Sequence, residues 1–426
     1  MLAIILAFAD ALRFSGLRTF SPLLDQRSSS VSQTTSSQSC PLPAARRQRA
    51  RVATMALFFI VGMAYASWGV HVPTVRDKFR LDPAALSLAL FVLTGGSIAA
   101  TLTNAKWIAR VGTRRACLVG GLVMSASMAL ILVAPTYSVL LPVLAAFGAG
   151  MATMDVAMNA EASAVEQALG RPIMSSLHGM FSIGGMIGAG AGGLALAHGM
   201  ASAVHMLLAA LVSGAVLAIA CPAVLPHVPP AESHHGNARS SRWRSPVLWA
   251  LGAVALIALI AEGAMYDWTA VYMRDVVRST PAFASAGYAA FTGAMAAGRF
   301  AGDAVRARVG AAQLVLASAS LACAGMVGAL VLPFSVTALI GFAMMGLGLA
   351  NMMPVLFAAA MRVKGIHAAE GLAHVASIAY VGLLFGPVLI GGVAQATDLS
   401  IGLSVVALCA ALVALIGPRV LKRLGV

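Results

Sequence analysis

Charge is scarce in this 426-residue chain: 10% of its residues are Asp, Glu, Lys or Arg, against roughly 25% in a soluble domain. That shortage excludes a water-facing surface of ordinary chemistry. Cysteine is equally uninformative as a scaffold. Cys40, Cys117, Cys221, Cys323 and Cys409 show no CxxC spacing, and the last four lie in apolar stretches, which argues against a disulfide framework or a zinc site. No Gly-Lys dipeptide occurs, so there is no Walker A loop and ATP is not an expected partner. Neither a nucleophile constellation nor a ligand set for a metal or cofactor stands out, and no enzymatic activity is expected.

What the chain has in abundance is apolar sequence, 60% of all residues, with a mean hydropathy of +0.90. It comes in blocks of about 20 residues, the length a helix needs to cross a ~30 Å hydrocarbon core. The blocks are continuously apolar rather than alternating, which excludes a membrane barrel. Twelve spans are predicted near residues 53–73, 84–105, 116–134, 138–160, 175–197, 202–222, 247–268, 282–304, 312–332, 335–359, 370–393 and 400–417. The expected class is an all-α membrane protein whose twelve helices form two six-helix pseudo-symmetric halves, residues 52–225 and 246–418. Around them lie a Ser-rich, Arg-ending segment 1–51, read as a disordered tail or an over-called start, a central loop 226–245 and a short tail 419–426. His234 and His235 in the central loop are read as solvated.

The formal net charge of +14 would suggest nucleic acid in a soluble protein, but here the basic residues sit in short loops between spans. Counted by side, nineteen fall on the side where the first span begins and five on the other. Because Lys and Arg are retained in the cytoplasm during insertion, both termini are expected there. The partners expected are the bilayer, protons and a small solute, with no nucleic acid. A repeat supports the two halves: Arg110-Val111-Gly112 recurs as Arg308-Val309-Gly310, and Gly148-x-Gly150-x-Ala152 as Gly346-x-Gly348-x-Ala350, both at a separation of 198. Gly188 to Gly193 satisfies GxGxxG spacing but sits inside an apolar span, where Gly184, Gly188 and Gly192 predict close helix packing instead.

The segment 105–115 and its copy 298–310 resemble the loop motif of the major facilitator superfamily: a glycine, an acidic residue, then basic residues around a second glycine. The second copy has Gly302-Asp303 before Arg306, Arg308 and Gly310, whereas the first has Ala109 at the acidic position before Arg110, Gly112, Arg114 and Arg115. The resemblance implies the twelve-helix fold and a cytoplasmic gate, with Asp303 near a neighbouring helix N-terminus, where carboxylate and helix dipole attract. Arg299, one turn earlier, is expected to pair with Asp303. Simple topology marking by these arginines is the plainer alternative.

Membrane-depth acids are the most informative residues, because a charge there costs about 2.5–3.5 kcal/mol even on the lenient insertion scale. Asp155 and Asn159 are four residues apart and share a helix face. Out of water a carboxyl keeps its proton more readily, so Asp155 is read as the coupling site, with a structural hydrogen bond as the alternative. The spacing resembles the fourth helix of the fucose permease branch, with Asp for that branch's Glu and Ala160 where it has Pro. Asn351-Met352-Met353-Pro354 in the tenth span resembles the same branch, although its first-span acid has no counterpart here. Glu262-Gly263-Ala264-Met265-Tyr266-Asp267-Trp268 looks like a stretch of uncharacterised bacterial inner-membrane permeases, which implies that location. Glu262 is read as a second titratable acid, and Asp267 with Trp268 as markers of the outer interface. Tyr65, Trp68, Asn159, His178, Asn351, His374 and Tyr380 are candidate solute contacts, with packing the alternative for each.

These features predict a proton-coupled secondary transporter of a small polar solute such as a sugar, working by alternating access at the seam of the repeats. A proton-driven exporter of amphipathic compounds, suited by 22 methionines, and a non-transporting membrane sensor are the other readings.

Overall fold

A backbone with no water to bond to must close its hydrogen bonds within each crossing segment, and every regular element among the described residues is a helix. The structure, a computed structural model, describes residues 43–171, 173–225, 245–306 and 308–424, with the side chains of Ala105, Asp303, Ala304, Arg306 and Ala369 excepted. Nearly all of the expected tail and central loop therefore lies outside the described residues.

The first half holds α1 (Ala44–Phe79), α2 (Pro83–Val111), α3 (Thr113–Ile131), α4 (Tyr137–Leu169), α5 (Met174–Ala197) and α6 (Ser202–Ala220). The second holds α7 (Pro246–Asp275), α8 (Pro281–Arg306), α9 (Ala311–Val331), α10 (Ser335–Leu349), α11 (Met352–Ala360), α12 (Ala368–Ala396) and α13 (Leu399–Arg423). The helices α10 and α11 together form one crossing, interrupted at Ala350 and Asn351. Eleven crossings are long and apolar enough by composition alone; α8, carrying Arg299 and Asp303, completes the twelve. The end where α1 starts and α13 finishes is called near, the opposite end far.

Local chemistry explains the boundaries. Asp82, Thr136, Ser245 and Asp398 each precede a helix and accept from a backbone N–H of its first turn, at 2.7, 3.3, 3.4 and 2.9 Å. Pro83 and Pro246 stand at first helical positions, where no intrahelical N–H is needed. The turn between α2 and α3 is a single glycine, Gly112, at φ 85°. Several helices outrun the apolar blocks: α1 begins at Ala44, inside the expected tail, and α7 continues to Asp275. Hydropathy ends a span where polar residues begin, but the backbone ladder continues into the interface.

The offset of 198 has a packing cause. A Cβ on Gly148 would meet the backbone of Leu93, and one on Gly346 the backbone of Phe291; Gly150 faces Gly120 and Met124, and Gly348 faces Ser318 and Ala322. Each of these neighbours is again displaced by 198, so α4 crosses α2 and α3 as α10 crosses α8 and α9. The halves meet where α5 packs on α8, α2 on α12 and α1 on α7. The Gly184-Gly188 stripe faces the backbone of α1 at Phe59 and Met63, within its own half. A second set on α5, with Gly185 against Thr292 and Gly193 against Ser285, faces the other half.

Candidate functional site

The seam between the halves gathers the membrane-depth acids. Asp155 lies about 21 Å from the near end of α4, and Glu262 about 24 Å from the near end of α7, at 1.5 Å per residue. Asp155 lies deep in the protein volume yet is open to solvent, the combination found for a side chain that lines an internal vestibule. Asn159 holds it, donating to its backbone oxygen at 2.8 Å and its Oδ1 at 3.0 Å. No ion pair reaches it among the described residues. Tyr380, from α12 of the other half and 43% exposed, lies within electrostatic reach of both Asp155 and Glu262. The two acids therefore lie on either side of Tyr380, one from each half.

Glu262 has a counter-charge, which Asp155 lacks among the described residues. Arg299 of α8 approaches its Oε1 at 3.4 Å and also donates to Ser182 Oγ at 2.8 Å and to the His178 carbonyl at 3.4 Å, both on α5. The guanidinium thus joins an acid on the neighbouring helix of its own half to α5 across the seam; the expected Arg299 to Asp303 pairing falls on a side chain outside the described residues. Tyr266, whose hydroxyl donates to Met295 Sδ at 3.4 Å, lies near Glu262. Its ring stands 5.2 Å from Tyr65 and 5.2 Å from Phe291, closing the vestibule with aromatic surface from α1, α7 and α8.

Asp267 and Trp268 are not at the outer interface. Asp267 is 7% exposed and lies near Tyr65, and Trp268 is buried, because α7 runs eight further residues to Asp275. Three other expected solute contacts are occupied by packing. Trp68 is fully buried against Phe147 of α4. Asn351 donates to the Gly298 carbonyl at 2.9 Å, tying the break between α10 and α11 to α8. His374 is buried edge-on to Trp249. His178 is half-buried against Phe58 and presents its carbonyl to Arg299. Tyr65, Asn159 and Tyr380 remain beside the acids.

Apart from Arg299, the expected gate residues make no described contact across the seam. Arg114 donates to the carbonyls of Pro222 and Val224 in its own half, and Arg110 and Arg308 are exposed. Gly112 is required by its positive φ, whereas Gly310 sits at an ordinary φ of −61°. The closed end is the far one, which the sequence reading missed. Arg76 of α1 pairs with Asp275 of α7, and Arg274 of α7 pairs with Asp77 of α1 at 2.6 Å. Beside them, the backbone N–H of Ala84 on α2 donates to Gln395 on α12. The signal was available, because the Arg-Asp dipeptide recurs at the same offset of 198. Arg47, Thr113 and Glu161 instead brace the near end of the first half: buried Glu161 accepts from Leu225 N at 2.7 Å and Thr113 Oγ1 at 3.2 Å.

Residues 54–387 match the family model described as Major Facilitator Superfamily. An uncharacterized MFS-type transporter of Yersinia pestis is 33% identical over 360 residues, covering 84% of this chain and 92% of that relative. Among solved structures, a bacterial homologue of the human lysosomal transporter Spinster, in an inward-facing and unoccupied conformation, superposes with a TM-score of 0.68 at 12% identity, covering 89% of this chain and 98% of that one. The fucose:proton symporter of E. coli superposes with a TM-score of 0.59 at 15% identity, covering 86% and 97%. At such identities the two structures speak for the fold.

Proposed function

Because the chain belongs to the Major Facilitator Superfamily, we propose that this multi-pass membrane protein is a proton-coupled carrier of a small polar solute, with its near end in the cytoplasm of a bacterial inner membrane. The observation that carries the reading is Asp155, a membrane-depth carboxyl open to a central vestibule with no cationic partner among the described residues. A vestibule that closes at both ends during alternating access removes water from that carboxylate, at a cost of a few kcal/mol unless it is neutral. Protonation supplies the neutrality. With solute filling the vestibule and excluding water, only the protonated carrier crosses the occluded state readily; once solute and proton have left, the empty carrier returns unprotonated with water around Asp155, so each cycle moves solute and proton together.

Glu262 passes the same occlusion paired with Arg299, so that pair orients the solute and couples α5 to α7 and α8 while Asp155 does the proton exchange. Tyr65, Asn159 and Tyr380 offer hydroxyl and amide groups to a polyhydroxy solute. With the far end latched and Asp155 open, the conformation is the one that releases solute and proton to the near side.

A thermal-shift screen against sugars, amino acids and organic cations identifies the solute, since a ligand selective for the folded form raises its apparent stability. In proteoliposomes loaded with that solute, Asp155→Asn is expected to lose accumulation driven by a pH gradient while retaining exchange. Undiminished gradient-driven accumulation by Asp155→Asn overturns the coupling role.

A further inference from the structure

Away from the vestibule, the near half of the α2, α3 and α4 packing leaves a pocket of about 250 Å³, some eight times the ~30 Å³ share of one water in the liquid. Thr103, Asn104 and Trp107 of α2, Val119 and Val123 of α3, and Thr153 of α4 line it. On α4, Thr153 and Asp155 are two residues apart and so point to nearly opposite sides of the helix, one to this pocket and the other to the vestibule. Val119 and Val123 are 44% and 39% exposed, as are Leu118 and Leu122 beside them, so the pocket opens onto an apolar, bilayer-facing wall.

An apolar wall does not explain Asn104. It is 3% exposed; one end of its amide meets the Thr153 hydroxyl at 3.2 Å, and the amide nitrogen at the other end has no partner among the described residues. A buried amide without a partner costs roughly 1–3 kcal/mol, which a ligand oxygen entering the pocket would remove. Charge lies just above. Arg110 is three residues beyond Trp107 on α2, and Arg115 is four residues before Val119 on α3, so each continues a lining face one turn toward the near end. Both are exposed and neither enters an ion pair among the described residues, the acidic position of the first loop being Ala109. Trp107 between them is at the depth where its amphipathic ring suits the interface.

We infer that this pocket is a binding site for an anionic phospholipid of the near leaflet, its phosphate held by Arg110 and Arg115 and an oxygen of its glycerol ester region meeting Asn104. The order of groups along the pocket, guanidinium, indole, amide, then valines, matches the order phosphate, glycerol, ester, acyl chain in a lipid entering from the interface.

The test is native mass spectrometry of the full chain released from nanodiscs of phosphatidylcholine mixed with phosphatidylglycerol. Wild type should retain phosphatidylglycerol preferentially. Each of Arg110→Gln and Arg115→Gln should weaken retention about fivefold, the factor expected for one basic residue at an anionic surface, and Arg423→Gln, basic but remote from the pocket, should not. These arginines are exposed, so folding survives the changes; Asn104→Leu adds loss of retention where it folds. Unchanged preference in the double arginine variant overturns the inference. So does displacement of the lipid by soluble glycerophosphate, which would make the pocket a site for a free phosphate ester.

Discussion

Replacing Arg76 and Arg274 together by Gln removes both ion pairs that join α1 to α7 at the far end. The side chains are 23% and 31% exposed in the Arg76–Asp275 pair and 25% and 46% exposed in the Arg274–Asp77 pair. Pairs open to solvent contribute about 0.2–1 kcal/mol each. The Arg76 pair belongs near the top of that range because both guanidinium nitrogens engage both carboxylate oxygens, and the more exposed pair belongs near the bottom. Together they favour the far-closed state by about 1–1.5 kcal/mol, and since 1.4 kcal/mol is a factor of ten, the far-open population should rise about five- to tenfold. Spin labels at Met200 and Phe334, exposed far-end positions in opposite halves, would report this by pulsed electron resonance in a background without native cysteines. Raised salt should shrink the effect. The charge swap Arg76→Asp with Asp275→Arg should restore the wild-type distance distribution. An unchanged distribution in the double Gln variant would refute the assignment of these pairs as the latch.

Glu262→Gln leaves Arg299 unpaired beside a partly wet vestibule and should cost about 2 kcal/mol, below the ~3–5 of a fully buried pair; adding Arg299→Gln should recover stability in a detergent melt without restoring transport. Gly112→Ala should destabilise by roughly 1–2 kcal/mol because its φ of 85° is hostile to a Cβ. Its repeat counterpart Gly310→Ala, at φ −61° with open space around it, should leave the same melt unchanged.

Much of the fold was legible because the bilayer turns it into a one-dimensional problem. Continuous apolar blocks, their number and the Asp82, Thr136, Ser245 and Asp398 caps depend only on neighbouring residues, and the helix starts fall within a few residues of expectation except for α1. Helix ends were less legible. Asp267 was placed at an interface because hydropathy falls there, although α7 continues beyond it. Asp155 and Glu262 could be singled out from sequence because an acid amid apolar residues is conspicuous on cost alone. Their surroundings could not be read so directly, since Trp68 and Tyr65 are similar as symbols and differ only in which helix covers them.

By itself, the sequence determined the class, the crossings, the duplication and the presence of costly acids, all of which follow from hydration energies and short-range spacing. Tertiary structure alone decided that Arg299 reaches Glu262 of α7 and Ser182 of α5, that Asn351 is committed to the α8 backbone, and that the repeated Arg-Asp dipeptides interlock. Each of those outcomes depends on separate helices arriving side by side. A side chain's partner at membrane depth is whichever complementary group the packing brings within a few ångströms, and no local pattern encodes that distance.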